Sequence, residues 1–143
     1  MGNPLPRHLV LDIETTGLYP HRGDRIVEIG AVALENGRFI AEFESLVNCG
    51  DRIPRRAQEV HGISTEMLIG QPSPEEVLPR FLRFASRSTL VAHNAKFDIE
   101  FLRYELGCLG LGLNNKYVCT LQMSQKLYPD LSNYNWIRFA IIY

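Results

Sequence analysis

Apolar and polar residues alternate along "HLVLDIET", residues 8–15. Leu9, Leu11 and Ile13 fall on one side of an extended chain, and Val10, Asp12 and Glu14 on the other, a period of two that predicts a strand. "RIVEIGAVAL" (25–34) and "RFIAEFESLV" (38–47) predict two more, joined by "ENG", whose Asn-Gly is a hairpin signal. The first three strands therefore form a meander. Residues 51–73, rich in Pro, Gly and polar residues, predict a loop with short helical turns. Residues 74–86 open with Pro74-Glu75-Glu76 and carry Val77, Phe81, Leu82 and Phe84 near helical spacing. "STLVAHN" (88–94) predicts a short buried strand. "AKFDIEFLRYEL" (95–106) predicts an amphipathic helix with Phe97, Phe101 and Tyr104 along one stripe. "NKYVCT" (115–120) predicts a fifth strand, and a helix follows it to about Leu127. A meander followed by strand–helix–strand crossovers implies an α/β domain spanning 1–143 with a mixed five-stranded sheet. No repeat, linker or low-complexity stretch interrupts it.

One position breaks the apolar logic. Asp12 and Glu14 share a face within the first strand, and like charges side by side are costly without compensation. Asp98 lies in the first turn of the helix after the fourth strand. If that strand lies beside the first, all three acids meet at the carboxyl end of the sheet, where open α/β sheets place their ligands. Three converging carboxylates require a cation. Oxygen donors without Cys or His pairing point to Mg²⁺ or Mn²⁺, ions that often work as a pair about 3.5–4 Å apart in phosphodiester chemistry. Taken alone, Asp98 reads better as an acid favouring a helix N-terminus, and the matching simple reading of Asp12 and Glu14 is edge-strand charges. An Asp-x-Glu inside an apolar strand that ends in Thr-Thr-Gly weighs against that simpler reading.

Charge and composition narrow the partners. A formal charge of −1 over 143 residues gives no overall attraction to polyanions, so any nucleic-acid binding must come from local basic groups or bound metal. Arg52, Arg55 and Arg56 flank "VHGIS" (60–64) and are the phosphate-contact candidates; Arg80, Arg83 and Arg87 read as a solvated helix face. No apolar run approaches the ~20 residues of a membrane span, and "MGNPLPRHL" lacks a signal-peptide core. Cys49, Cys108 and Cys119 are unpaired in spacing and read as three buried free thiols, which suits a cytoplasmic protein.

"DIETTGL" (12–18), "VHGIS" and "HNAKFD" (93–98), in that order, resemble the DEDDh 3′–5′ exonuclease family. This is the proofreading-subunit family of bacterial DNA polymerase III, with a ribonuclease H-like fold. The likeness runs over residues 8–130. It implies that Asp12, Glu14 and Asp98 hold Mg²⁺ or Mn²⁺, with Glu14 also touching the attacking water or the terminal nucleotide. It implies that Thr15, Thr16 and Gly17 present backbone and hydroxyl groups to a 3′-terminal nucleotide, with Leu18 wedged against its base. His61 would reach the sugar or phosphate, Phe97 would support the base pocket, and Asn94 would order the turn before Asp98.

The family's third motif, a His followed after four residues by an Asp on the last helix, has no counterpart in these residues. The four histidines are His8, His21, His61 and His93, and the only acid beyond Glu105 is Asp130. The expectation is a domain truncated at its C-terminal end, with incomplete C-terminal helices, one weak metal site and reduced hydrolysis. The closing "NYNWIRFAIIY" reads as a chain cut short or shifted in frame. It would form either a helix over 133–143 packed on the sheet or an apolar tail that promotes self-association. The expected function is 3′–5′ exonuclease action on DNA ends, with a polymerase catalytic subunit as a partner. Two alternatives stay open: a non-catalytic nucleic-acid- or polymerase-binding module, and an RNA-trimming exoribonuclease.

Overall fold

A computed structural model describes residues 6–134. The five strands are β1 (Arg7–Thr15), β2 (Ile26–Glu35), β3 (Arg38–Leu46), β4 (Ser88–Ala92) and β5 (Tyr117–Cys119). Four helices accompany them: α1 (Arg55–His61), α2 (Pro74–Phe84), α3 (Ala95–Cys108) and α4 (Thr120–Leu127). The sheet order is β3-β2-β1-β4-β5, antiparallel from β3 to β1 and parallel from β1 to β5. This is the mixed sheet with an N-terminal meander that the alternation predicts. Asn36 and Gly37 both take positive φ, 51° and 72°, and close the β2–β3 hairpin, a conformation that Asn-Gly tolerates best.

Leu9, Leu11 and Ile13 of β1 are buried with Leu90 and Ala92 of β4 beneath Val77, Leu78 and Phe81 of α2 and Ile99, Leu102 and Leu106 of α3. Helix α2 starts on a capping box, in which Glu76 accepts from the Ser73 N–H at 2.8 Å. The 51–73 segment carries α1 and a short 3-10 turn at Glu66–Leu68, in line with the expected helical turns. It has its own small core of Ile53, Ile63 and Leu68 against Val27 and Cys49.

A β-bulge lies between Glu14 and Thr15, whose partners on β2 are Glu28 and Ile26. The extra residue, Val27, shifts the phase of β2: Ile26 enters the main core, and Val27 enters the small one. The bulge therefore turns Val27 of β2 toward the 51–73 segment and docks α1 beside the end of β1.

Four details differ from the sequence expectations. The fourth strand ends at Ala92 rather than Asn94, because Asn94 turns left-handed (φ 61°, ψ 47°) to start α3. The fifth strand keeps only three residues. Of the three thiols, all free, Cys49 is buried, Cys108 is exposed near the end of α3, and Cys119 is half-buried, with its sulfur accepting from the Ala95 N–H at 3.4 Å. Asn133 and Tyr134 are irregular rather than helical; the rest of the expected 133–143 helix, and with it the self-associating tail, lies outside the described residues.

Candidate active site

The end of β1 supplies the first two acids. Asp12 and Glu14 stand on the face opposite the main core, as their phase in the strand dictates. Asp12 keeps solvent access, yet the surrounding protein strips enough water from its carboxyl to raise its pKa, opposed by a bond from the Ile13 N–H and by the nearby His93. Glu14 is also pushed up, first by burial and then by the charges of Asp12 and Glu28.

Asp98 comes to the same place by a different route. β4 is shorter than β1, so beyond Ala92 the edge of β1 loses its strand partner. The Asn94 turn starts α3 there, and Asp98 in its first turn accepts the Ile13 N–H at 3.2 Å. Only 3% of Asp98 is exposed. Burial is the largest influence on its carboxyl, and Asp12 and then Glu14 add repulsion; together they raise its pKa to about 7.

The residues beyond the bulge form a tight loop. Thr15 donates its hydroxyl to the Gly17 carbonyl at 2.6 Å. Thr16 pairs twice with Arg25: its N–H donates to the Arg25 carbonyl, and its hydroxyl accepts the Arg25 N–H, both at 2.9 Å. Gly17 leaves no room for a side chain, because a Cβ there would run into the Asp24 carboxylate, which itself accepts the Tyr19 N–H at 2.9 Å. Leu18 is then pushed outward, 65% exposed.

His61, at the end of α1, is bonded at both ring nitrogens. The Ile63 N–H donates to Nδ1 at 3.1 Å, so Nδ1 carries no proton. Nε2 therefore bears the hydrogen and donates to the Thr15 carbonyl at 3.1 Å. In this state His61 ties the α1 segment to the end of β1. Phe97 is half-buried, with its ring 4.9 Å from that of Phe101. Asn94 is exposed, and its backbone, rather than a side-chain cap, shapes the start of α3.

A groove of about 230 Å³ runs from Asp12 and Glu14 across Gly30 to Glu28, Glu42 and Glu44. Glu28 faces Glu14 across the ladder, and its pKa is raised by burial, then by Glu44. The alternation in "IVEIGAV" puts Glu28 on the polar face, but its pairing with Glu14 depends on a register set across the 16–25 loop, which no turn motif specifies. His93, read from sequence as the first residue of the "HNAKFD" motif at the end of a strand and given no role of its own, lies close enough to influence Asp12 and bonds the Thr120 hydroxyl at 3.0 Å.

The donor set of Asp12, Glu14 and Asp98 fits a hard divalent cation in type and charge: burial holds all three carboxyls above their usual range, and neighbouring carboxylates add to this at Glu14 and Asp98. Among the described residues, however, no three His, Cys, Asp or Glu side chains already converge closely enough to hold one.

A family model described as "Exonuclease" (RNase_T) matches residues 9–141. The chain belongs to the RNase_T exonuclease family. Exonucleases of this family and fold are generally dependent on divalent metal. Among the relatives, the PolC-type DNA polymerase III of Clostridium perfringens is 42% identical over 124 residues, covering 87% of this chain and 8% of that protein. The DNA polymerase III subunit epsilon of Aquifex aeolicus is 36% identical over 128 residues, covering 89% of this chain and 63% of the relative. The chain thus spans less than two thirds of the length of these two relatives. Exonuclease X, solved with 5′-overhanging duplex DNA, superposes with a TM-score of 0.74 at 27% identity, covering 94% of this chain and 72% of that one. Exonuclease I, at 0.79 and 16% identity over 93% and 33%, shares the ribonuclease H-like fold.

Proposed function

We propose that this chain is the end-binding and cation-binding part of a DNA 3′–5′ exonuclease. The observation that supports this reading is the capture of the β1 edge by Asp98, which brings a third carboxyl within electrostatic reach of Asp12 and Glu14. Asp12, Glu14 and Asp98 would hold Mg²⁺ or Mn²⁺. Bound there, such an ion lowers the pKa of water and offsets charge on a phosphoryl oxygen. The remaining work falls to the chain. Asp98 must give up its proton to become a ligand, so loading below about pH 7 releases a proton, strengthens as pH rises toward that value and levels off above it. Thr15, Thr16 and Gly17 form a rigid ledge for the terminal sugar and phosphate. Leu18 offers an exposed apolar edge to the last base, and Phe97 supports the pocket behind it.

DNA is the favoured substrate because several relatives are named as DNA polymerase III components and Exonuclease X was solved with DNA. For the same reason a polymerase catalytic subunit is the proposed partner. The His-x4-Asp motif has no counterpart in these 143 residues, so they lack the positioned base that the resemblance implies, worth about 10²–10⁴-fold, and slow turnover is the expected result.

The test is a 5′-labelled single-stranded DNA digested with Mn²⁺ by the purified chain. A faint ladder shortening from the 3′ end, lost in Asp12→Ala, is expected. Products that persist in Asp12→Ala would overturn the assignment. Cation-dependent binding with no product at all would favour the non-catalytic module, and preference for an RNA strand would favour the RNA-trimming reading.

A further inference from the structure

We propose that Glu105 is a positioning residue that sets the Thr15–Leu18 loop against Asp98. The inference rests on the reading of that loop as the seat of the 3′-terminal nucleotide. Glu105 lies in the main core side of α3 with only 2% of its surface exposed. A carboxylate there is costly unless fully paired, and an apolar residue would fill the same space without that cost. Its two oxygens are divided between two donors: Oε1 accepts the Ile26 N–H at 2.7 Å, and Oε2 accepts Arg25 Nη2 at 3.2 Å. Both donors sit at the bulge where the β1–β2 ladder loses its regular pairing.

The consequence passes directly to the loop. Arg25 makes both backbone-side bonds to Thr16, which lies between Thr15 and Gly17. Glu105 therefore fixes Arg25, and Arg25 fixes Thr16. A second tether runs in parallel: the His21 ring stands edge-on to Tyr104 at 4.7 Å and lies 3.7 Å from Glu100, so the 3-10 turn at Pro20–Arg22 also rests on α3. That pair is exposed and adds little by itself. Asp98 and Glu105 are seven residues apart, two turns and about 10 Å along one face of a single helix. One rigid rod thus carries the third metal carboxylate at one end and the loop's anchor at the other, and the distance from cation to nucleotide seat follows from it.

Glu105→Ala removes both bonds, and Glu105→Gln keeps the shape and the acceptor for Ile26. Three measurements on each intact chain separate positioning from stability: amide exchange at Thr16 and Arg25, Mn²⁺ affinity, and affinity for 5′-labelled single-stranded DNA with Mn²⁺. In Glu105→Ala, exchange at Thr16 and Arg25 should rise while Leu9–Ile13 stay protected. DNA affinity should fall about ten- to a hundredfold, the range of one lost charge-assisted hydrogen bond, while Mn²⁺ affinity stays within about threefold. Glu105→Gln, which keeps the Ile26 bond but sets an amide NH2 against the Arg25 guanidinium, should recover only part of the loss. If exchange at Thr16 and Arg25 is unchanged in both variants, or if DNA and Mn²⁺ affinity fall together in proportion to lost fold, Glu105 is structural only and the proposal is wrong. A wild-type chain that binds no DNA would refute the nucleotide-seat reading, and the exchange rates would then decide the anchoring by themselves.

Discussion

Asp98 holds its proton to about pH 7, whereas an unfolded chain releases it near 3.8. Between those values the folded state binds more protons than the unfolded one, so stability falls as pH rises through the window and levels off above it. The gap is worth up to about 4 kcal/mol, most of it from burial and from Asp12. Asp98→Asn keeps the acceptor for the Ile13 N–H without the charge. In chelator at pH 7.5 it should therefore melt several degrees higher than the wild type and lose the slope between pH 4 and 7. Thermal unfolding across that range, with and without the substitution, checks this. A flat wild-type profile would mean that Asp98 is not held neutral. Mn²⁺ should stabilise the wild type at pH 7.5 and leave Asp98→Asn nearly unmoved.

At the scale of elements, strand phase made much of the site legible and strand pairing hid the rest. The alternation in residues 8–15 is enough to put Asp12 and Glu14 on one face, because side-chain direction depends only on residue parity. The first turn of α3 follows from local sequence too, so Asp98 is legible once β4 is placed beside β1. Glu28 and Glu105 were not legible. Their roles depend on the bulge at Glu14–Thr15 and on a register fixed across residues 16–25. His61 was legible as a motif residue, but its two hydrogen bonds need Thr15 and Ile63 in place around it. That placement depends on the small core of Val27, Ile53, Ile63 and Leu68. Ile63→Ala should cost about 2–4 kcal/mol in urea unfolding, as a buried Ile truncation does. It should also weaken oligonucleotide binding in protein that remains folded, since His61 loses its fixed neighbour. Unchanged binding would show that the α1 segment does not shape the nucleotide seat.

Across the whole molecule, the end of β1 carries Asp12 and Glu14 into a small acidic groove that crosses β1 to β3. Asp98 of α3 holds the neighbouring Ile13 N–H, and the Thr15–Leu18 loop continues the same strand. The formal charge of −1 and the carboxyls around Asp12 repel a DNA strand, so the chain's affinity for an end must depend on a cation to reverse the local sign. Arg52, Arg55 and Arg56 remain at the surface near the α1 segment, where Arg55 already pairs with Glu59 at 2.9 Å, so any contribution from them to DNA binding is expected to be secondary. The most direct measurement is fluorescence anisotropy of a 5′-labelled single-stranded oligonucleotide, titrated with the chain in Mn²⁺ and again in chelator. Binding at least about tenfold tighter with Mn²⁺, an advantage lost in Asp12→Ala, is the expected result. Equal affinity in Mn²⁺ and chelator, or an Mn²⁺ advantage that survives Asp12→Ala, would contradict the account.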